Sequence, residues 1–109
     1  MSDEKVTKVL EMISAAGTAR AKYIEAIGQA KKKDFDKVDE LIREGGECFS
    51  IAHKVHADFL ASSSASLAAS GSDADVSLIL IHAEDQMMCA ETFRLVAEEF
   101  IDLYRSINA

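Results

Sequence analysis

The side chains of this protein that can do chemistry by type and spacing are its three histidines, the polar groups that follow His82, and one arginine set among apolar residues. His82, Asp85, Cys89, Thr92 and Val96 recur at three- and four-residue steps and so share one side of a helix. Ahead of His82 the run Val76-Ser77-Leu78-Ile79-Leu80-Ile81 is apolar on almost every side, which predicts a helix end buried against other helices or other subunits. A buried imidazole with a carboxylate three residues on has its tautomer fixed and its basicity tuned. The neutral ring nitrogen of such a histidine can attack phosphorus in line, giving a phosphoramidate that passes readily to another nucleophile. By residue type alone, a lone histidine on such a stripe is more often a core histidine satisfied by one hydrogen bond. His53 and His56, an i, i+3 pair, invite a metal site with His82, or are satisfied structurally in the same way. Arg20 interrupts an apolar stripe, where it can meet a phosphoryl group through two donors, form an ordinary ion pair, or lay its stem along the surface.

Long helices must position these groups. Proline is absent, and the helix-favouring alanine, leucine, glutamate and lysine are plentiful. An apolar stripe of Val6, Leu10, Ile13, Gly17, Ile24 and Ile27 predicts a first helix from about Asp3 to Lys32, capped by Ser2 or Asp3. Asp34 can cap a second, with the stripe Phe35, Val38, Ile42, Gly45, Phe49, Ala52, His56 and Phe59. Gly45 and Gly46 sit within it at a cost of about 1 kcal/mol each relative to alanine. Either the helix kinks there or another backbone comes close. Ala61 to Asp75 is small, polar and rich in serine and glycine, and its later part reads as a mobile loop. Asp73 or Asp75 then caps a third helix with the core stripe Ile79, Ala83, Gln86, Ala90, Phe93, Ala97, Phe100, Tyr104 and Ile107. Alternating steps of three and four mark helices packed nearly parallel. The expected fold class is all-α, an antiparallel three-helix bundle like a spectrin repeat, in one domain over residues 1–109.

A chain of 109 residues that is 49% apolar leaves much of that surface unburied unless subunits associate. The net charge of -7 excludes the basic surface that a nucleic-acid backbone requires. Lys31, Lys32 and Lys33 read as the solvated end of a helix. The charged start has no targeting signal, and the longest apolar run, Val76 to Ala83, is too short to cross a bilayer. Cys48 and Cys89 form no CxxC pattern and read as small core hydrophobes in a reducing compartment. A cytoplasmic protein is expected.

The segment from Val76 to Met88, VSLILIHAEDQMM, resembles the phosphorylation motif of the lactose/cellobiose IIA subunits of bacterial sugar phosphotransferase systems, approximately VSLxLxHAQDHLM. Ile13 to Arg20, ISAAGTAR, is similar to that family's first-helix pattern. Gln29 to Phe35 is similar to its inter-helix turn, and Ala52-His53 to the Ala-His of its second helix. The resemblance covers nearly the whole chain in order.

It implies a three-helix phosphocarrier, a phosphotransferase component assembling as a homotrimer, with His82 as the phosphoryl acceptor near the inter-subunit clefts. Phosphoryl would arrive at Nε2 of His82 from the histidine of HPr and leave to a cysteine of the IIB subunit. Asp85 maps onto the aspartate that points to the three-fold axis and helps three copies share a metal ion, Mg2+. Three carboxylates meeting there would otherwise repel, and a hard divalent cation suits oxygen ligands. His53 maps to a position that can line the cleft, whereas His56 stands where the family usually has glutamine. Glu84 and Gln86 replace the usual glutamine and histidine. Glu84 should point away from the face of His82, while Gln86 shares it, and its amide can donate to a phosphoryl oxygen but cannot titrate. The His-Ala opening of the motif leans toward the cellobiose/chitobiose branch.

Rival readings differ in class. A di-metal carboxylate bundle needs Glu-x-x-His, but Ser50, His53 and Ile79 stand three before the histidines. A histidine phosphotransfer signalling domain places lysine and glycine near its histidine, unlike HAEDQMM. A non-enzymatic helical interaction module, such as a secretion chaperone, fits the composition equally well.

Overall fold

In the computed structural model, residues 2–70 and 77–108 are described, and they form α1 (Asp3–Lys31), α2 (Phe35–Ser70) and α3 (Leu78–Ile107), running up, down and up. Ser2 caps α1 by accepting the Lys5 amide at 3.2 Å, with Asp3 and Glu4 complementing the helix dipole behind it. At the other end Lys33 turns left-handed (φ 64°), the Lys33 amide donates to the Ala30 carbonyl, and the Asp34 amide to that of Gln29. This pair of bonds closes the helix end as in a Schellman turn, with lysine where glycine is usual. Asp34 then caps α2, its Oδ1 accepting the Lys37 amide at 3.2 Å.

Neither a kink nor a backbone contact explains Gly45. The ring of Tyr23 fills the space where a Cβ would stand, with its Cε1 2.7 Å from that position, whereas a Cβ on Gly46 would meet nothing within 4 Å. α2 runs unbroken through both glycines and on through the serine-rich stretch to Ser70. The helix reaches further into the serine-rich segment than expected because interspersed alanines and a leucine sustain it; the rest of that segment, residues 71–75, lies outside those described. The cap of α3 is Ser77, accepting the Leu80 amide at 3.3 Å, in place of Asp73 or Asp75, which also fall outside.

The core differs in phase from the predicted stripes. α1 buries Val9, Met12, Ala16, Ala19, Tyr23, Ala26 and Ala30, while Leu10 and Ile24 are half-exposed. Alanine lets the helices approach closely, and the larger residues beside that line are left outside. On α3 the predicted Ala83, Ala90 and Ala97 are buried, joined by Leu80, Met87 and Ile101, but Phe100 and Ile107 face out. α1 packs along both neighbours; α2 and α3 meet each other only over a short stretch. Cys48 and Cys89 are half-buried free thiols. Among the described residues no helix is long and apolar enough to cross a membrane.

Candidate functional site

His82 sits in the second turn of α3, behind the Ser77 cap. The first turns of α1 and α2 carry acidic residues, and that of α3 carries none, so the positive end of its dipole is left for some other anion. Within the single chain His82 and Asp85 are both exposed, so of the two coverings expected for this helix end, other helices or other subunits, the chain's own helices do not cover these two side chains. No hydrogen bond joins them, so Asp85 does not set the imidazole tautomer. The outward side of α3 that carries them is largely apolar, with Thr92 and Glu99 interspersed: Leu78 is 82% exposed, and Ile81, Met88, Val96, Phe100 and Leu103 lie open along the helix. These large side chains face out, while Leu80, Met87, Ile101 and the alanines of α3 face in.

The polar neighbours divide between the other two helices. Glu84 turns toward α2, where its Oε1 lies 2.9 Å from Nε2 of His56; both are half-buried. Gln86 turns toward α1, and its Oε1 accepts from Nη1 of Arg20 at 3.3 Å. Arg20 therefore holds an amide, where the sequence left open a phosphoryl contact through two donors, an ion pair or a stem laid along the surface. His53 is exposed, and its ring lies 6.2 Å from that of Phe49 on its own helix; no hydrogen bond links it to His82, Gln86 or Asp85. The three histidines His53, His56 and His82 do not come together as a metal site within one chain, and His56 is paired with Glu84. No group of three or more His, Cys, Asp or Glu among the described residues can hold an ion within one chain. The His56–Glu84 tie had no signal in the sequence, since it depends on the register of α2 against α3.

Chemically, the structure presents an accessible imidazole near a helix N-terminus, with an arginine-held amide one helical turn further along. Residues 7–105 match the family described as PTS system, lactose/cellobiose specific IIA subunit. The PTS system lactose-specific EIIA component of Staphylococcus epidermidis is 34% identical over 103 residues, 94% of each chain. That of Lactococcus lactis subsp. lactis is 33% identical over 106 residues, 96% of each chain. Among solved structures, the PTS cellobiose specific enzyme IIA from Bacillus anthracis superposes with a TM-score of 0.83 at 30% identity, covering 99% of this chain and 94% of that one. PtcA from S. mutans gives 0.81 at 28% identity, covering 96% and 99%.

Proposed function

Because this chain belongs to the lactose/cellobiose-specific IIA family of the sugar phosphotransferase system, we propose that His82 is its phosphoryl acceptor, loaded by phospho-HPr and discharged to a cysteine of the IIB subunit in the cytoplasm. The observation that supports this reading is the exposure of His82 at the dipole-positive end of α3, with no hydrogen-bond partner of its own among the described residues. Its Nε2 lone pair forms the new P–N bond as the P–N bond of the donor histidine breaks, and that electron pair returns to the donor ring. One ring proton leaves Nδ1 of His82 and one is taken up by the donor imidazole. The next transfer breaks the P–N bond at His82 as the thiolate of IIB attacks. Ala83 is turned into the core, so the room for an incoming active site comes from the exposure of His82 itself.

The outward apolar side of α3 supports a homotrimer in which three such helices meet. Asp85 fits a hard cation there, being exposed on that side with no cationic partner among the described residues. Since one chain supplies no complete ligand group, the Asp85 carboxylates of three copies would hold Mg2+, whose charge offsets their repulsion on assembly.

Incubation with phosphoenolpyruvate, the first enzyme of the system and HPr tests the central reading. Stoichiometric label on the parent, labile to acid and stable to alkali, is expected, with none on a folded His82→Ala variant. Label that survives acid, or that persists on His82→Ala, overturns the assignment. An unlabelled parent points instead to a helical interaction module.

A further inference from the structure

Four arginines occur in this chain, and three of them pair with carboxylates: Arg43 with Glu47 at 2.7 Å, Arg94 with Glu98 at 3.2 Å and Arg105 with Asp39 at 2.7 Å. Arg20 is the exception. It lies half-buried between α1 and α3 in a chain with 19 acidic residues, yet it meets no carboxylate among the described residues and donates to the neutral Gln86 amide. Among the described residues its charge has no neutralising partner, and the amide it holds belongs to Gln86, one helical turn from His82.

The chemistry of the pair fixes an orientation. A guanidinium has five donors and no acceptor, so the end of the Gln86 amide that faces Arg20 must be its oxygen. The NH2 group is then the end left free. Gln86 follows His82 by four residues and stands beside it on α3, and helical side chains lean toward the N-terminus, which for Gln86 is the direction of His82. Without Arg20 the amide could turn over and present its oxygen, which repels a phosphoryl group.

We propose that Arg20 is a positioning residue for phosphoryl transfer: by holding Oε1 of Gln86 it keeps the amide donors directed at the phosphoryl group on His82. This rests on His82 being the acceptor. Neither Arg20 nor Gln86 exchanges a proton in the step. The amide donors meet the negative charge of the phosphoryl oxygens, and the guanidinium lies behind them as a fixed positive charge.

The test measures transfer from phospho-HPr to the whole protein, with Arg20→Met, Arg20→Lys, Gln86→Leu and the double variant Arg20→Met/Gln86→Leu. Each of Arg20→Met and Gln86→Leu should slow labelling of His82 about tenfold, the worth of one charge-assisted hydrogen bond. The double variant should be no slower than either alone, and Arg20→Lys, which keeps a donor, should recover part of the rate. Thermal melts verify that every variant is folded. The side-chain NH2 resonances of Gln86 give a readout that general loosening does not mimic: phosphorylation should displace them in the parent and leave them nearly unmoved in Arg20→Met. A parent that labels at His82 while Arg20→Met matches its rate and still shows the displaced amide signal overturns the positioning role alone. Additive losses in the double variant overturn action through Gln86. A parent that never labels at His82 removes the acceptor on which the proposal rests.

Discussion

Two cations of α1 stand two residues apart and end differently. Lys22 is neutralised across the α1–α2 seam by Glu44 at 2.8 Å, while Arg20 reaches along the α1–α3 seam to an uncharged amide. The rest of each region follows the same division. Tyr23 fills the notch left by Gly45, so the α1–α2 seam is closed within one chain. On α3 several large apolar side chains, among them Leu78, Ile81 and Leu103, point away from the chain, and His82 and Asp85 stand on that side without hydrogen-bond partners among the described residues. A seam that serves only folding has its charges paired and its spaces filled. A surface that retains bare charge and exposed leucine has interactions still to make with other molecules.

The strongest way to break this comparison is to place a charge on the outward side of α3. Val96 is exposed in the single chain, so Val96→Asp should leave the three helices and their melting cooperativity in place. If three copies bury that position, the variant must desolvate three carboxylates, at a cost of about several kcal/mol per ion. Sedimentation should then find a monomer where the parent is a trimer. A Val96→Asp protein that sediments with the parent would remove this side of α3 from the interface.

Asp85 sharpens the same point with the opposite sign. If the proposed trimer places Asp85 at its axis, Asp85→Leu replaces an interfacial charge by an apolar group, a change that is often neutral or stabilising by about 1–4 kcal/mol. The variant trimer should be at least as stable as the parent and indifferent to chelators. The parent should melt higher with magnesium than with EDTA, because only the assembled form offers the site. If the parent ignores both additions and Asp85→Leu dissociates, Asp85 is not on the axis.

Within the α1–α2 seam, adjacent glycines offer a matched pair. Gly45→Ala gains about 1 kcal/mol of helix propensity, but its Cβ would stand 2.7 Å from the ring of a fully buried tyrosine. Overpacking of this kind costs about 1–3 kcal/mol, so a net loss is expected. Gly46→Ala meets nothing within 4 Å and should gain up to about 1 kcal/mol. Denaturant titrations that move both midpoints the same way would show that the notch is not shaped by Tyr23.

Much of the fold was legible in the sequence because helices announce themselves locally. The first helix was expected at Asp3 to Lys32 and ends at Lys31, and Asp34 caps the second as its side chain and position suggest. Stripe phase was harder to read. Leu10 and Ile24 are larger and more apolar than Ala16 or Ala26, yet the alanines are buried, because close helix approach selects for small side chains and periodicity does not weigh size. The resemblance of VSLILIHAEDQMM to the family's motif pointed to His82 and Asp85 as one-dimensional text. The bonds that orient their neighbours, Arg20 to Gln86 and His56 to Glu84, join residues far apart in sequence, and no single helix contains their register.

The smallest expected effect lies at the Lys22–Glu44 bridge, and it is confined to the ends of the pH scale. The hydrogen bond from Lys22 is the largest influence holding the Glu44 carboxyl below its ordinary value of 4.5, and the same bond raises Lys22 above 10.5. A carboxyl whose folded pKa is depressed contributes stability above its unfolded pKa and loses it as pH falls through the folded value. An amine whose folded pKa is raised contributes below its unfolded pKa and loses that contribution as pH rises through the folded value. Both contributions are therefore present at neutral pH, but the bridge is solvent-facing and screened by salt, so the effect there should be slight. Glu44→Gln should melt close to the parent at neutral pH. In the acid range below about 4.5 the parent should lose more stability than the variant, because only the parent has this carboxylate to protonate. Parallel acid limbs for the two proteins would show that Glu44 is not linked to folding. The contrast with Arg20 would then rest on geometry alone.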